Sequence, residues 1–341
     1  MNALLNRRIM MQETGGDGRD LPAGAIPCEM VYTGGYDSFI NTDIVPSNSM
    51  SYEADVCWVK PSSLYQSFFG YNISSIRFSF HLNASGKVEI GYGNAYAGNW
   101  PTTNYRNLRV RHRVSITPSG STIETYSTDG ALLNTQSISY SATPSFTKKI
   151  GLLGRKKSDT SIESGNFRGG LGRFKLYGDS SFGTLVADFI PCYYNGNFGM
   201  WDKVSQTFLV GNSPGDIYGF GDAWNTTGFT PNARNNTSNS TSDYFVDYRG
   251  EVSCPMFKIP AGCSQIQFNA GTPSSGENYA LMFFNGSKSY ISYYNNNSAD
   301  RIVSVPNNAE YVRMSMVRSS VNTCYIRDYT NGTYIWKGIS V

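Results

Sequence analysis

One short run limits what this chain can become. In residues 110–117 (VRHRVSIT), Val110, His112, Val114 and Ile116 fall on one side of an extended backbone. Arg109, Arg111, Arg113 and Ser115 fall on the other. A repeat of two is the signature of a strand with one buried face, and a helix would scatter these residues around its circumference. Other runs of the same kind follow at close spacing: 50–60 (MSYEADVCWVK), 76–82 (IRFSFHL), 87–92 (KVEIGY), 148–153, 173–177 and 185–191. Ser85-Gly86 and Asp129-Gly130 supply turn pairs that suit antiparallel hairpins.

Composition removes the main alternatives. The chain has 30 Asn, 24 Tyr and 35 Gly but only 15 Leu, 11 Lys and 9 Glu, so good helix formers are scarce. A helical bundle or coiled coil is excluded. With 40% hydrophobic residues the chain can build a core, which argues against intrinsic disorder. Many short strands without helices read as an all-β protein built of sandwiches.

Four segments are expected. Residues 1–24 form an arm, with Leu4, Leu5, Ile9 and Met10 around Arg7 and Arg8 and a Gly-rich link behind them. Such a segment cannot bury its own apolar side chains, so it is expected to be either disordered or docked on a partner, with docking the role assigned to it. Residues 25–221 form the main sandwich, 222–243 a polar linker of low complexity, and 244–341 a second, smaller sandwich. In this last segment a Pro-led turn feeds an alternating strand twice, at Ile259-Pro260 before Ile266 and Phe268 and at Val305-Pro306 before Val312 and Met314.

A net charge of +3 is too small for a general nucleic-acid or anionic-membrane binder. No run approaches the ~18 apolar residues of a transmembrane helix. Arg7 and Arg8 stand where a signal peptide would carry its apolar stretch, so export by such a signal is not expected. The six cysteines (Cys28, Cys57, Cys192, Cys254, Cys263, Cys324) show no C-x-x-C spacing and read as free thiols rather than a zinc site or disulfide framework.

Catalytic parts are few. The only histidines are His81 and His112; His112 shares its apolar face with three aliphatic residues and reads as a core histidine, whereas His81, alternating with Ser79 and Arg77, reads as solvated. Gly211-Asn212-Ser213-Pro214-Gly215 has the spacing of a serine nucleophile elbow. The proline removes an N–H needed after the nucleophile, and no helix pattern follows, so a turn is expected. Glu53 and Asp55 share one strand face, and Glu53-Ala54-Asp55-Val56-Cys57-Trp58 resembles the first half of the E-x-D-x-x-E strand of laminarinase-type enzymes, but Trp58 stands where that resemblance implies the second catalytic carboxylate. No enzyme activity is expected. Asp37, Asp43, Asp159 and Glu163 are each able to serve calcium, without a ligand run that marks a site. Metal binding stays open and no other cofactor is implied.

Binding is better supplied. Residues 91–105 (GYGNAYAGNWPTTNY) gather Tyr92, Asn94, Tyr96, Trp100 and Tyr105, and residues 290–297 (YISYYNNN) gather Tyr293 and Tyr294. Flat aromatic faces stack on sugars or on other proteins, and neighbouring amides hydrogen-bond. Contact with a ligand and burial at the sandwich ends are both open for these rings.

Several segments together carry a resemblance. Residues 32–44 (YTGGYDSFINTDI), 167–177 (FRGGLGRFKLY) and 185–209, with Asp188, Phe189, Pro191, Gly199, Met200, Asp202, Val204 and Phe208, resemble concanavalin A-like (laminin G-like) domains of phage and prophage structural proteins. Asn41 and Asp43 depart from that pattern, where Asp and Gly are expected. The leader Asn2-Ala3-Leu4-Leu5-Asn6-Arg7-Arg8 looks like those of such proteins in phages of gut Bacteroidales. The last segment, ending in Tyr334-Ile335-Trp336-Lys337-Gly338, is similar to the carbohydrate-binding-like sandwiches found beside them. The resemblance implies a concanavalin A-like jelly-roll β-sandwich followed by a smaller one. It also implies a non-enzymatic virion surface protein, a head or tail fibre or a capsid decoration. Leu4, Leu5, Arg7, Arg8, Ile9 and Met10 would dock on other virion proteins. The chain would be a homo-oligomer, and host surface glycan its ligand. A bacterial polysaccharide-binding lectin and a depolymerase are the alternatives.

Overall fold

The structure is a computed structural model, and it describes residues 21–34, 38–59, 66–73, 76–83, 88–97, 105, 108–158, 161, 167–237, 245–248, 250–271, 279–295 and 300–340. The chain is all-β, as expected, and divides into two units, Met1–Gly219 and Phe220–Val341.

The first unit is two antiparallel sheets. The larger, of eleven strands, runs in the order Leu132–Ser139, Gly120–Ser127, Arg109–Thr117, Met50–Cys57, Gly170–Tyr177, Leu185–Tyr194, Asn197–Asp202, Thr207–Val210, with Ile26–Pro27, Met30–Thr33 and Ile217–Phe220 attached beside this path. The smaller, of six, runs Ile40–Asn41, Gly151–Leu152, Gln66–Ile73, Ile76–Leu82, Val88–Gly93, Ala95–Ala97. Alternation decides which side chains meet between them. Tyr52 and Phe174 from the larger sheet lie 4.8 and 5.1 Å, ring to ring, from Phe69 of the smaller. Trp58 packs on Phe68 and Phe80 in the same layer. Aromatic burial of this kind is the main driving force for holding two sheets face to face.

The opposite face of the larger sheet is a charge ladder. Register places Glu53 between Arg113 and Lys175, and Asp55 opposite Arg111. Arg113 lies 3.4 Å from Glu53 and 3.2 Å from Glu124, and Arg111 reaches both oxygens of Asp55 at 2.7 and 3.3 Å. Arg173 clamps Asp188 with two bonds of 2.7 and 2.6 Å. Opposite charges directly across a ladder fix register while keeping the face wettable.

The second unit also has two main sheets. The four-stranded sheet runs Arg301–Ser304, Gln265–Asn269, Tyr325–Asp328, Thr333–Lys337. The five-stranded one runs Glu251–Ser253, Tyr311–Val317, Leu281–Phe284, Tyr290–Tyr294, with Phe257–Lys258 beside Tyr311–Val317. The two Pro-led strands detected in the sequence fall one in each sheet, and both bury their alternating residues, Ile266 and Phe268 in one, Val312 and Met314 in the other.

The expected linker at 222–243 is a correction. Of it, residues 222–237 are described, and they are built into the second unit rather than spanning a gap. Phe229 is fully buried, with its ring 5.3 Å from Trp336. The Trp336 Nε1 donates to the Asn225 carbonyl at 2.6 Å. Ala233–Asn235 is a strand paired with Phe245–Asp247. The Asn235 side chain accepts from Arg313 Nε at 2.8 Å, and Arg234 is held by Glu251 at 2.6 Å. Polar side chains here satisfy buried partners instead of facing water.

All six cysteines are free, as the sequence suggested, and Cys57, Cys192, Cys254 and Cys324 are buried.

Candidate functional site

The larger unit absorbs most of the residues that carry chemistry. His112 is fully buried, as expected. The Trp58 indole, which can only donate, gives its Nε1–H to His112 Nε2 at 2.9 Å. The ring proton therefore sits on Nδ1 and is donated to Thr125 Oγ1 at 3.0 Å. Burial holds this imidazole down at about 3, so it stays neutral. His81 corrects the sequence reading: it is buried rather than solvated, and its Nε2 donates to Glu89 at 2.9 Å. Burial raises the Glu89 carboxyl, but donors from His81 and Asn83 and the charge of Arg155 prevail and leave it below the ordinary range.

Glu53 and Asp55 are tied to the cations of the ladder, Glu53 also accepting from the Tyr177 hydroxyl at 3.3 Å. The Gly211–Gly215 run is a turn, as read from its proline: a three-residue 3-10 segment at Pro214–Asp216 leads directly into the strand Ile217–Phe220. The Asn212 side chain caps the Phe39 N–H at 2.8 Å. Asp43 is paired with Lys149 at 2.6 Å, and Asp37, Asp159 and Glu163 lie outside the described residues. Among the described residues no three His, Cys, Asp or Glu converge as metal ligands.

The aromatic loop is not assembled as a binding surface. Tyr92 and Tyr105 correct the expectation, because both rings are in the core. Tyr92 stacks on Tyr140 at 5.0 Å and donates its hydroxyl to the Asn48 carbonyl at 2.8 Å; Tyr105 lies edge-on to His112. An inward position on an alternating strand buried Tyr92. Asn94 is exposed, and its carbonyl accepts from Arg77 at 3.1 Å. The Tyr96 side chain and Trp100 lie outside the described residues, as do Leu4, Leu5, Arg7, Arg8, Ile9 and Met10. Tyr293 and Tyr294 point to opposite faces of one strand and so form no common surface. Tyr293 is 40% exposed, edge-on to Tyr279, whereas Tyr294 turns toward the other sheet and reaches the Ser304 carbonyl at 3.5 Å.

A different surface has the character of a binding face: the outer side of the four-stranded sheet. Register sets Ile302 opposite Gln267, Gln267 opposite Arg327, and Arg327 opposite Tyr334, a straight row across all four strands. The next row is Asn269, Tyr325 and Lys337. A bulge at Ile326/Arg327 takes up one extra residue of the last strand, which brings Tyr334 level with Arg327 on the outer side. The inner positions, Ile266, Phe268, Ile326 and Trp336, are buried and fix this orientation. Tyr334 is 51% and Ile302 43% exposed.

The polar groups of this face are under-used. The Arg327 guanidinium lies 5.8 Å from the Tyr334 ring and the Lys337 ammonium 5.1 Å from it. Neither cation forms an ion pair with another described residue, and Arg327 Nε is buried without a hydrogen-bond partner. The Gln267 amide makes no hydrogen bond to another described residue either. Tyr325 is edge-on to Tyr334 and gives its hydroxyl to Asp300 at the far end of the second row. Sequence reasoning missed this face. Part of its signal was present in the outward positions of Gln265–Asn269, whose inward partners Ile266 and Phe268 alternate, whereas the strand Tyr325–Asp328 was not read from the sequence.

No family model matches the chain, and no curated protein sequence does. Among solved structures it is similar to a candidate carbohydrate-binding protein of Bacteroides ovatus, at 9% identity over 57% of this chain and 61% of that one, with a TM-score of 0.38. It is also similar to tailspike protein 2 of an Escherichia coli O157:H7 bacteriophage, at 11% identity over 43% of this chain and 22% of that one, TM-score 0.32. A third is Scytalido-glutamic peptidase, 12% identical over 51% of this chain and 90% of that one, TM-score 0.24. The match spans less than two thirds of the length of the first two.

Proposed function

We propose that this chain is a non-enzymatic phage surface protein that holds carbohydrate on the outer face of its four-stranded sheet. The observation that carries the reading is the row Ile302, Gln267, Arg327, Tyr334: an exposed aromatic ring beside a guanidinium and an amide that make no side-chain hydrogen bond to another described residue. A sugar ring offers an apolar face for Tyr334 and hydroxyls for the amide and guanidinium, which matches what the row lacks. The candidate carboxylates and histidines of the larger unit are engaged in structural pairs, which favours adhesion over hydrolysis.

Placement on a virion, with the concanavalin A-like assignment, rests on the sequence resemblance. Residues Leu4, Leu5, Arg7, Arg8, Ile9 and Met10 would dock on other virion proteins, and the larger sandwich would act as the rigid body of a fibre or capsid decoration. Several copies on one particle would turn weak sugar contacts into tight adhesion to the host surface.

Retention of the purified full chain on immobilised host surface polysaccharide tests the proposal. Tyr334→Ala is expected to weaken retention about tenfold, the loss of one stacking contact of ~1–2 kcal/mol, with unfolding unchanged. Retention untouched by Tyr334→Ala, or release of reducing ends from the polysaccharide, would refute it.

A further inference from the structure

We infer that the ligand of this face carries a carboxylate, and that Arg327 receives it while Tyr334 carries the sugar ring. This rests on the reading of the face as a carbohydrate site and names the class of sugar it takes: an acidic one, of the uronic or sialic type.

The argument begins with what the row does not contain. A cation at a sheet surface normally finds a carboxylate across the ladder, and the larger sheet of this same chain does so repeatedly, with Arg111 on Asp55, Arg113 on Glu53 and Glu124, and Arg173 on Asp188. On the four-stranded sheet the rule is broken. The cross-strand neighbours of Arg327 are Gln267 and Tyr334, both uncharged. Lys337 faces Tyr325 across the ladder and is exposed. Asp300 accepts the Tyr325 hydroxyl, and no ion pair joins it to either cation. Two positive groups thus flank one exposed phenol ring, at 5.8 and 5.1 Å from its centre, and among the described residues no carboxylate is paired with either.

Geometry then favours a carboxylate. Guanidinium presents parallel N–H groups in a plane that matches the two oxygens of a carboxylate, a fit that a point-like ammonium or a neutral hydroxyl does not reproduce. A pyranose carrying its carboxylate on a ring-edge carbon can lay its apolar face on Tyr334 and turn the acid toward Arg327. Gln267, next in the row, is then within the same strand repeat to meet a ring hydroxyl. Lys337 supplies a second, less directional attraction.

An array bearing uronate, sialylated, sulfated and neutral oligosaccharides, probed with the full chain, tests this. Binding is expected among the carboxylated glycans, and methyl esterification of a bound one should weaken it about 10- to 100-fold, the range for a lost charge-assisted hydrogen-bonded pair. Arg327→Gln should remove the preference for acid over ester. Tyr334→Ala should weaken both forms alike. Binding confined to neutral glycans, lost in Tyr334→Ala and kept in Arg327→Gln, would overturn the carboxylate and leave the carbohydrate face standing. Equal capture of sulfated and carboxylated glycans would overturn the planar match and leave charge alone. Binding that neither substitution alters would overturn the assignment of the face itself.

Discussion

His112 shows how much one side chain can disclose. Its place among Val110, Val114 and Ile116 marked it as interior, and the structure adds both of its partners, Trp58 and Thr125. The neutral form is locked in: its folded value, about 3, lies below the ordinary ~6.5 of an unfolded histidine. Between these two values the unfolded chain binds a proton that the folded one refuses, so stability is full above pH ~6.5 and falls as the solution is acidified toward pH 3. The slope from this residue is ~1.4 kcal/mol per pH unit. Urea unfolding of wild type and His112→Gln at steps from pH 7 to pH 4 is expected to show the difference between them shrinking below pH ~6.5. A constant difference would mean that the imidazole is not held neutral. His81 teaches the opposite lesson. Alternation sorts residues into two sets but does not say whether the second set is covered, and here it is. For Tyr92, burial and ligand contact were both open, and its inward position decides for burial: such a ring stays inside however many polar neighbours surround it in sequence.

At the scale of the strand, most elements were legible. The segments expected at 50–60, 76–82, 87–92, 110–117, 173–177 and 185–191 all contain observed strands, at Met50–Cys57, Ile76–Leu82, Val88–Gly93, Arg109–Thr117, Gly170–Tyr177 and Leu185–Tyr194. The run at 148–153 shortened to Gly151–Leu152. Gln66–Ile73 was missed, and a register shift between Ser67 and Phe69 explains why, since a bulge breaks the count of two on which detection depends. Gly70 in that strand is required by contact as well as by backbone. Its φ is +118°, and a Cβ there would lie 2.1 Å from the Phe78 carbonyl oxygen. Gly130, in the Asp129-Gly130 hairpin turn, has φ +87° with nothing within 4 Å of a Cβ. Gly130→Ala is expected to cost about 1 kcal/mol of backbone strain, and Gly70→Ala about 2–4 kcal/mol. Chemical unfolding of the two variants decides; equal losses would show that the strands at Gly70 part without resistance. The binding row was illegible for a different reason. Its four residues come from four strands, and only pairing across the sheet, not order along the chain, puts them side by side.

At the scale of the whole chain, the structure divides at Gly219/Phe220, ahead of the segment 222–243 that the sequence suggested as a linker. Asn, Ser and Thr dominate 222–243 and gave it the look of a spacer, yet its amides are used internally: Asn225 on the Lys337 carbonyl at 2.7 Å, Asn235 on Arg313 at 2.8 Å. Composition reports which groups are polar, not whether the fold satisfies them. A fragment of residues 220–341 is therefore expected to unfold cooperatively in urea and to keep the glycan binding of the full chain. A fragment of residues 244–341, which lacks Phe229 and Asn235, should unfold without a cooperative transition. Two equally cooperative fragments would show that the strap at 220–237 is dispensable. The same strap sets where genes of this kind can trade parts. A crossover just ahead of Phe220 hands over the small unit whole, ready to be grafted onto a new carrier. One within the Asn-rich run, where an aligner would place it by eye, separates Phe229 from Trp336 and leaves Arg313 in the core without its amide.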